Sequence, residues 1–167
     1  YDAVRRGWAR ELVKETGAAV VHVHNFFPLL TPAVHQGAAE AGAAVVQTLH
    51  NYRLVCANAL FLRDGAICEK CLHGSKAWGV LHRCYRGSLP GSLAVARMQA
   101  HAERTGAWRA NVHRFIALTA FARKKFIEGG LPEDRIKVKP NFVEAPPPGE
   151  AQKRAGALFV GRLSVEK

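Results

Sequence analysis

Four short runs rich in β-branched residues set the pattern of this chain: AAVVHVH at 18–24, AAVVQTLH at 43–50, RFIAL at 114–118 and RIKVK at 135–139. Each is nearly continuous in apolar character or is followed closely by a helical pattern. Strands of that kind are buried on both faces, the mark of a parallel sheet covered by helices. Parallel neighbours need a crossover segment between them, and the intervening sequence supplies it. In TPAVHQGAAEAG, Thr31 is placed to cap a helix, Pro32 suits its first position and Gly42 suits its end. Thr119 likewise precedes AFARKKFIEGG, which stops at Gly129 and Gly130 with Pro132 beyond. A longer helical pattern covers about Leu93 to Val112. The sequence predicts an α/β fold, a Rossmann-like parallel sheet with helices on both faces.

At 167 residues the chain is long enough for one domain with its own core. No apolar run reaches the roughly 18 residues that a membrane span needs. The opening YDAVRRGWARELVKETG reads as an amphipathic helix without the apolar centre of a signal peptide, so the expected compartment is the cytoplasm. The formal charge of +11, from 24 basic and 13 acidic residues, suits nucleic acid, an anionic membrane face or a phosphorylated substrate. The basic residues are scattered, with ARKK at 122–125 as the one short cluster, and an ordinary solvated surface is the favoured reading of the charge.

Two features mark a piece of something larger. A helix pattern comes first, with no strand before it to start the sheet. A Pro-rich break, EAPPPGEAQKRAG, then leads into a fifth apolar run, GALFVG at 156–161. The expected organisation is a partial Rossmann-like domain over 1–143 carrying an insert at 54–88, a linker at 144–156, and the first strand and loop of a second domain over 157–167.

Ligands of parallel sheets bind at the carboxyl ends of the strands. His24-Asn25, His50-Asn51, Thr119 and Gly161-Arg162 all fall at such ends. His50 closes the strand QTLH beside a loop; its competing role is a strand cap through a backbone hydrogen bond. His22, within its strand, reads as a satisfied core or interface residue. In FVGRLSVEK, Gly161 lets a phosphate approach the backbone, and Arg162 and Lys167 could grip a diphosphate from two directions. Neither GxxxxGK nor GxGxxG occurs, which disfavours a P-loop enzyme or a dinucleotide oxidoreductase.

Taken in order, VVHVHNFFPLLTPAV, VVQTLHNYRLVCANALFLRDGAICEKCL, FIALTAFARKKFIEGGLPEDRIKVKPNFV and ALFVGRLSVEK resemble a family-4 glycosyltransferase with the GT-B fold, two Rossmann-like domains facing across a cleft. The most specific match is FVGRLSVEK to the family's VGRL-x-x-EKG. The resemblance implies that Arg162 and Lys167 bind the diphosphate of a nucleotide-sugar donor, with Gly161 allowing its approach. It implies that His50 contacts the transferred sugar, that Thr119 and Phe121 open a cleft-facing helix, and that Asn141 belongs to the segment leading to the linker. The implied reaction is transfer of a hexose to a hydroxyl acceptor, a glycan or a lipid-linked one, with retention and without a catalytic metal. The anionic cytoplasmic membrane face is the partner that the basic surface would then meet. The family's first strand, its glycine-rich acceptor loop and the acidic motif of its second domain are missing, so a fragment inactive on its own is expected.

The insert holds all four cysteines, Cys56, Cys68, Cys71 and Cys84, spaced C-x11-C-x2-C-x12-C. A CxxC pair with two further cysteines suits a closed, structural zinc site. Free thiols and two disulfides are the competing readings, and His73 or His82 could replace one thiolate. A zinc staple would make the insert a brace beside His50, since a loop this long does not hold one shape unaided. Its tip carries Trp78, Arg83, Tyr85 and Arg86, which could meet acceptor or membrane. Two other functions stay open at this point: a zinc-containing nucleic-acid binder, and another enzyme of nucleotide-sugars such as an epimerase.

Overall fold

The computed structural model describes residues 2–144 and the isolated positions 156 and 160. Most of the fifth strand expected at 156–161, most of the linker, and Gly161, Arg162 and Lys167, the residues expected to grip a diphosphate, lie outside the described residues.

The strands are β1 (Val20–Val23), β2 (Ala44–Leu49), a two-residue pair β3 (Leu62–Arg63) and β4 (Ala66–Ile67), β5 (Arg114–Ala117) and β6 (Ile136–Val138). The helices are α1 (Asp2–Thr16), α2 (Ala33–Glu40), α3 (Lys70–His73), α4 (Ala77–Leu81), α5 (Leu89–Arg104), α6 (Ala107–Asn111) and α7 (Ala120–Glu128). The main sheet is four-stranded and parallel throughout, in the order β1-β2-β5-β6, and helices flank it. Val45, Phe115 and Ala117 from the central strands, with Val112 and Phe126, are fully buried at its heart.

The helix ends follow the local chemistry of the sequence. Thr119 caps α7, its Oγ1 accepting from the Ala122 amide at 3.0 Å. Past the other end, Gly130 takes the left-handed conformation, φ +91°, while the Leu131 amide donates back to the Phe126 carbonyl. Thr31 accepts from the Ala33 amide at the start of α2, and Gly42, φ +90°, ends it.

Three expectations need correction. The run at 18–24 predicts a buried strand, but β1 pairs with β2 on one side only, and Val20 is 57% exposed. His22 is correspondingly on an exposed face and not in a core, with its Nε2 2.8 Å from Thr48 Oγ1. The helical pattern at 93–112 is two helices, because Gly106 turns left-handed at φ +62° and starts α6 in a new direction.

The insert is no free loop. Leu54, Val55, Cys56, Phe61 and Leu72 join the same hydrophobic core as the sheet. Tyr52 stacks between Phe61 and Phe126, with ring centroids 4.5 and 5.5 Å away. The fit against α7 is close enough to demand a glycine: a Cβ on Gly129 would stand 2.4 Å from Val55 Cγ1. Across the seam, Lys125 of α7 bonds Glu69 of the insert at 2.9 Å and Glu128 at 2.9 Å.

Candidate functional site

A cavity of about 350 Å³ opens at the carboxyl ends of β1 and β2. One wall is the strand rim, with His24, His50 and Asn51; the other comes from the two ends of the insert, with Arg53, Tyr85 and Arg86. His24 and His50, 26 residues apart in sequence, meet here because β1 and β2 run parallel and end together: His24 directly follows Val23, the partner of Gln47, and His50 directly follows the last residue of β2. His24 Nδ1 and His50 Nε2 are 2.8 Å apart, so one of these nitrogens carries hydrogen and the other presents its lone pair. His22 stacks on His24 at 4.3 Å, and burial is the first of the causes that lower its pKa, ahead of the neighbouring His24.

Beneath the rim lies a buried polar pair. Gln47 donates through Nε2 to the carbonyls of His24 at 2.8 Å and Thr48 at 2.7 Å. Its Oε1 is thereby left to accept from His35 Nε2, 2.7 Å away on α2. His35 is fully buried, and desolvation lowers its pKa, which keeps the ring neutral. This pair holds the carbonyl of His24, and with it the start of the loop after β1.

The opposite wall is latched by α5. Gln99 Nε2 donates to the Arg53 carbonyl at 2.7 Å, and Ser92 Oγ accepts from the Tyr85 amide at 2.9 Å. Asn51 Oδ1 accepts from the Arg53 amide at 3.0 Å, tightening the turn just after His50. The Arg53 guanidinium donates to the Ala57 carbonyl and lies against two rings, 5.4 Å from Phe27 and 5.0 Å from Tyr85.

Of the residues singled out from sequence, the structure brings His50 into this cavity with His24 beside it, and Tyr85 and Arg86 of the insert onto its other wall. Thr119 follows β5 at the same end of the sheet but spends its hydroxyl on the α7 cap and does not line the cavity. Phe121, 62% exposed, follows it on α7; Asn141 lies exposed past β6. Arg53, Gln99 and the His35–Gln47 pair went unmarked in the sequence. The available signal was the two polar residues His35 and Gln47 set into apolar helix and strand patterns.

The four cysteines are all free; Cys56 and Cys71 are buried. Burial raises the pKa of Cys71, and its neighbours Cys56 and Cys84 add to the shift. Cys84 is raised by burial, then by Cys56 and Cys68. The four thiols therefore converge on one region. They are not closed to tetrahedral spacing: among the described residues, the ligand atoms that lie within 4.8 Å of one another are those of Glu69, His73 and Glu128. That trio already holds a cation, the Lys125 ammonium. The buried Nε2 of His82 lacks a hydrogen-bond partner, which leaves it open to serve as a donor in the insert. No described helix is long and apolar enough to cross a membrane.

A family model for Glycosyltransferase Family 4 matches residues 1–145. No curated protein and no solved structure matches the chain. The match spans the sheet, the insert and both walls of the cavity, and the chain belongs to glycosyltransferase family 4.

Proposed function

We propose that the full-length protein transfers a hexose from a nucleotide-sugar to a hydroxyl acceptor, with retention at the anomeric carbon, and that the acceptor enters the cavity beside His50. The observation that carries this reading is the His24–His50 pair at the carboxyl rim of a parallel sheet, in a chain of this family. In the reaction the bond from the anomeric carbon to the donor phosphate breaks and a bond to the acceptor oxygen forms. The acceptor's proton leaves with the departing nucleoside diphosphate. His50, fixed by His24, orients the sugar by hydrogen bonding and does not attack it. Fixed cations stabilise the leaving diphosphate more as its charge develops than in the ground state. Arg162 and Lys167 are assigned that role, with Gly161 permitting close approach; Thr119 and Asn141 are assigned to the donor-facing side of the cleft.

The four cysteines are assigned a structural zinc ion. Cys56, Cys68, Cys71 and Cys84 supply the chemistry that zinc prefers, and the ion would pin the insert without taking part in transfer. A cytoplasmic setting, peripheral to an anionic membrane carrying a lipid-linked acceptor, fits the +11 charge.

The test is turnover by the full-length protein, followed as nucleoside diphosphate release from a set of nucleotide-sugars. His50→Ala is expected to lower kcat by about 10²-fold or more, the scale of losing one positioned donor. Full activity in His50→Ala, or no cleavage of any nucleotide-sugar by the parent protein, would overturn the reading.

A further inference from the structure

We infer that the acceptor bound in this cavity is anionic, held through a phosphoryl or carboxylate group by Arg53 with Arg86 beside it; the inference rests on the transferase reading for the word acceptor. The cavity is lined by two arginines and two histidines and by no carboxylate. Elsewhere in the molecule, several partly buried cations are neutralised by carboxylates, while Arg135 spends its guanidinium on the backbone carbonyls of Arg109 and Val112. Lys125 is paired with Glu69 and Glu128, and Arg123 with Glu133 at 3.0 Å. Arg53 is half-buried, yet among the described residues neither it nor Arg86 makes an ion pair.

The geometry around Arg53 is prepared in advance. Its backbone is held from both sides, by Asn51 at the amide and Gln99 at the carbonyl. Its guanidinium is fixed by the Ala57 carbonyl and flanked by the rings of Phe27 and Tyr85. Arg86 lies over the same Tyr85 ring, 5.4 Å from its centroid. Burial acts first to lower the pKa of Arg53, Tyr85 and Cys56 work against that, and the nearby Arg86 lowers it further. A guanidinium remains charged under such pressure, because its unperturbed pKa is so high. A half-buried cation with a second, exposed cation beside it at one cavity is relieved by an anion between them, and the planar fork of Arg53 suits a two-oxygen ligand.

The test measures binding, without donor, to full-length protein bearing Arg162→Ala and Lys167→Ala so that the donor grip cannot take the anion. The probes are glucose 6-phosphate, glucuronate, the neutral methyl glucoside, and phosphatidylcholine vesicles with and without phosphatidic acid. Glucose 6-phosphate or glucuronate is expected to bind more tightly than the glucoside. Arg53→Gln is expected to weaken the anionic probe about tenfold while leaving the glucoside unchanged, which a merely structural arginine would not do. The two sugar probes separate phosphoryl from carboxylate, and Arg53-dependent capture of the acidic vesicles alone assigns the phosphoryl group to a lipid. Should Arg53→Gln fail to fold, Arg86→Gln, at an exposed position, is judged by the same contrast. Equal binding of charged and neutral probes, or anion binding untouched by the substitution, would overturn the inference. Donor cleavage is measured apart, so a protein that binds the anion but cleaves no nucleotide-sugar sinks the transferase reading and not the anion site.

Discussion

Between β2 and β5 each residue from Val46 to Leu49 has its partner in register on the neighbouring strand. Residues 54–88 have nothing comparable: two strands of two residues each, one helix of four and one of five. The sheet is held by a repeating ladder and a shared apolar layer. In the insert, Ala59, Phe61, Asp64, Arg83 and Arg86 all take positive φ, and they are the non-glycine residues that do so among the described residues. Each such residue costs on the order of 1 kcal/mol, so the insert keeps its shape only where the surroundings over-determine it. Part of that determination is visible, in Val55 and Leu72 against α7 and in the α5 latch. The rest is the part that the proposed zinc ion on the four thiols would supply. A repeating lattice makes a robust platform, and the strained segment docked on it supplies one wall of the cavity.

The strongest break of that comparison is removal of the proposed zinc. Full-length protein as isolated is expected to contain zinc. Chelation, or Cys68→Ser with Cys71→Ser, is expected to cost several kcal/mol and to lower Tm by roughly 10 °C or more. Hydrogen exchange would show protection lost first around 56–84 while β2 and β5 keep theirs. Because burial holds Cys71 and Cys84 in the thiol form, binding must expel their protons, and zinc affinity is expected to fall as the solution is acidified. A metal-free protein whose melting ignores both thiol substitutions would mean that apolar packing alone determines the insert, and the contrast with the sheet would collapse.

The two regions were unequally legible in the sequence for the same physical reason. Periodicity reports local burial, so the strands, the Thr119 cap and the glycine stops could be read from neighbouring residues. His50 was readable because a strand end is a sequence position. Tyr85 and Arg86 were readable as candidate contacts of the insert, but Arg53 and its meeting with Tyr85 were not, since that depends on where α5 docks, and Ser92 and Gln99 advertise it only as polar residues inside a helix. The exposed edge of β1 was missed because apolar composition does not say which strands have two neighbours. The break at Gly106 was missed because one left-handed residue leaves the helical pattern on either side intact.

A smaller effect tests how tightly the two regions are joined. Gly129→Ala places a methyl group against Val55, and overpacking of this kind costs about 1–3 kcal/mol. Val55→Ala removes the opposing methyl groups at its own cost. In the pair, the two costs should fall short of their sum, a coupling on the order of 1 kcal/mol in a double-mutant cycle followed by denaturant melts. Strict additivity would show that the α7–insert contact is looser than the spacing indicates.

The smallest expected effect belongs to the sheet side, where His35 supports the rim through Gln47. Folding lowers the pKa of this ring below its ordinary 6.5, so the unfolded chain binds the proton more readily than the native one. Stability from this source is present above that ordinary value and is lost as pH falls through it, because protons then draw the equilibrium toward the unfolded state. Between pH about 7.5 and 5.5 one such histidine contributes roughly 1 kcal/mol. His35→Gln keeps an N–H to offer Gln47 but removes the titration. Its melting temperature is therefore expected to change less with pH than the parent's, whatever its absolute value. Parallel profiles would place the acid sensitivity outside this pair. The rim would then owe its position to the β1–β2 ladder alone, without the buried polar contact beneath it.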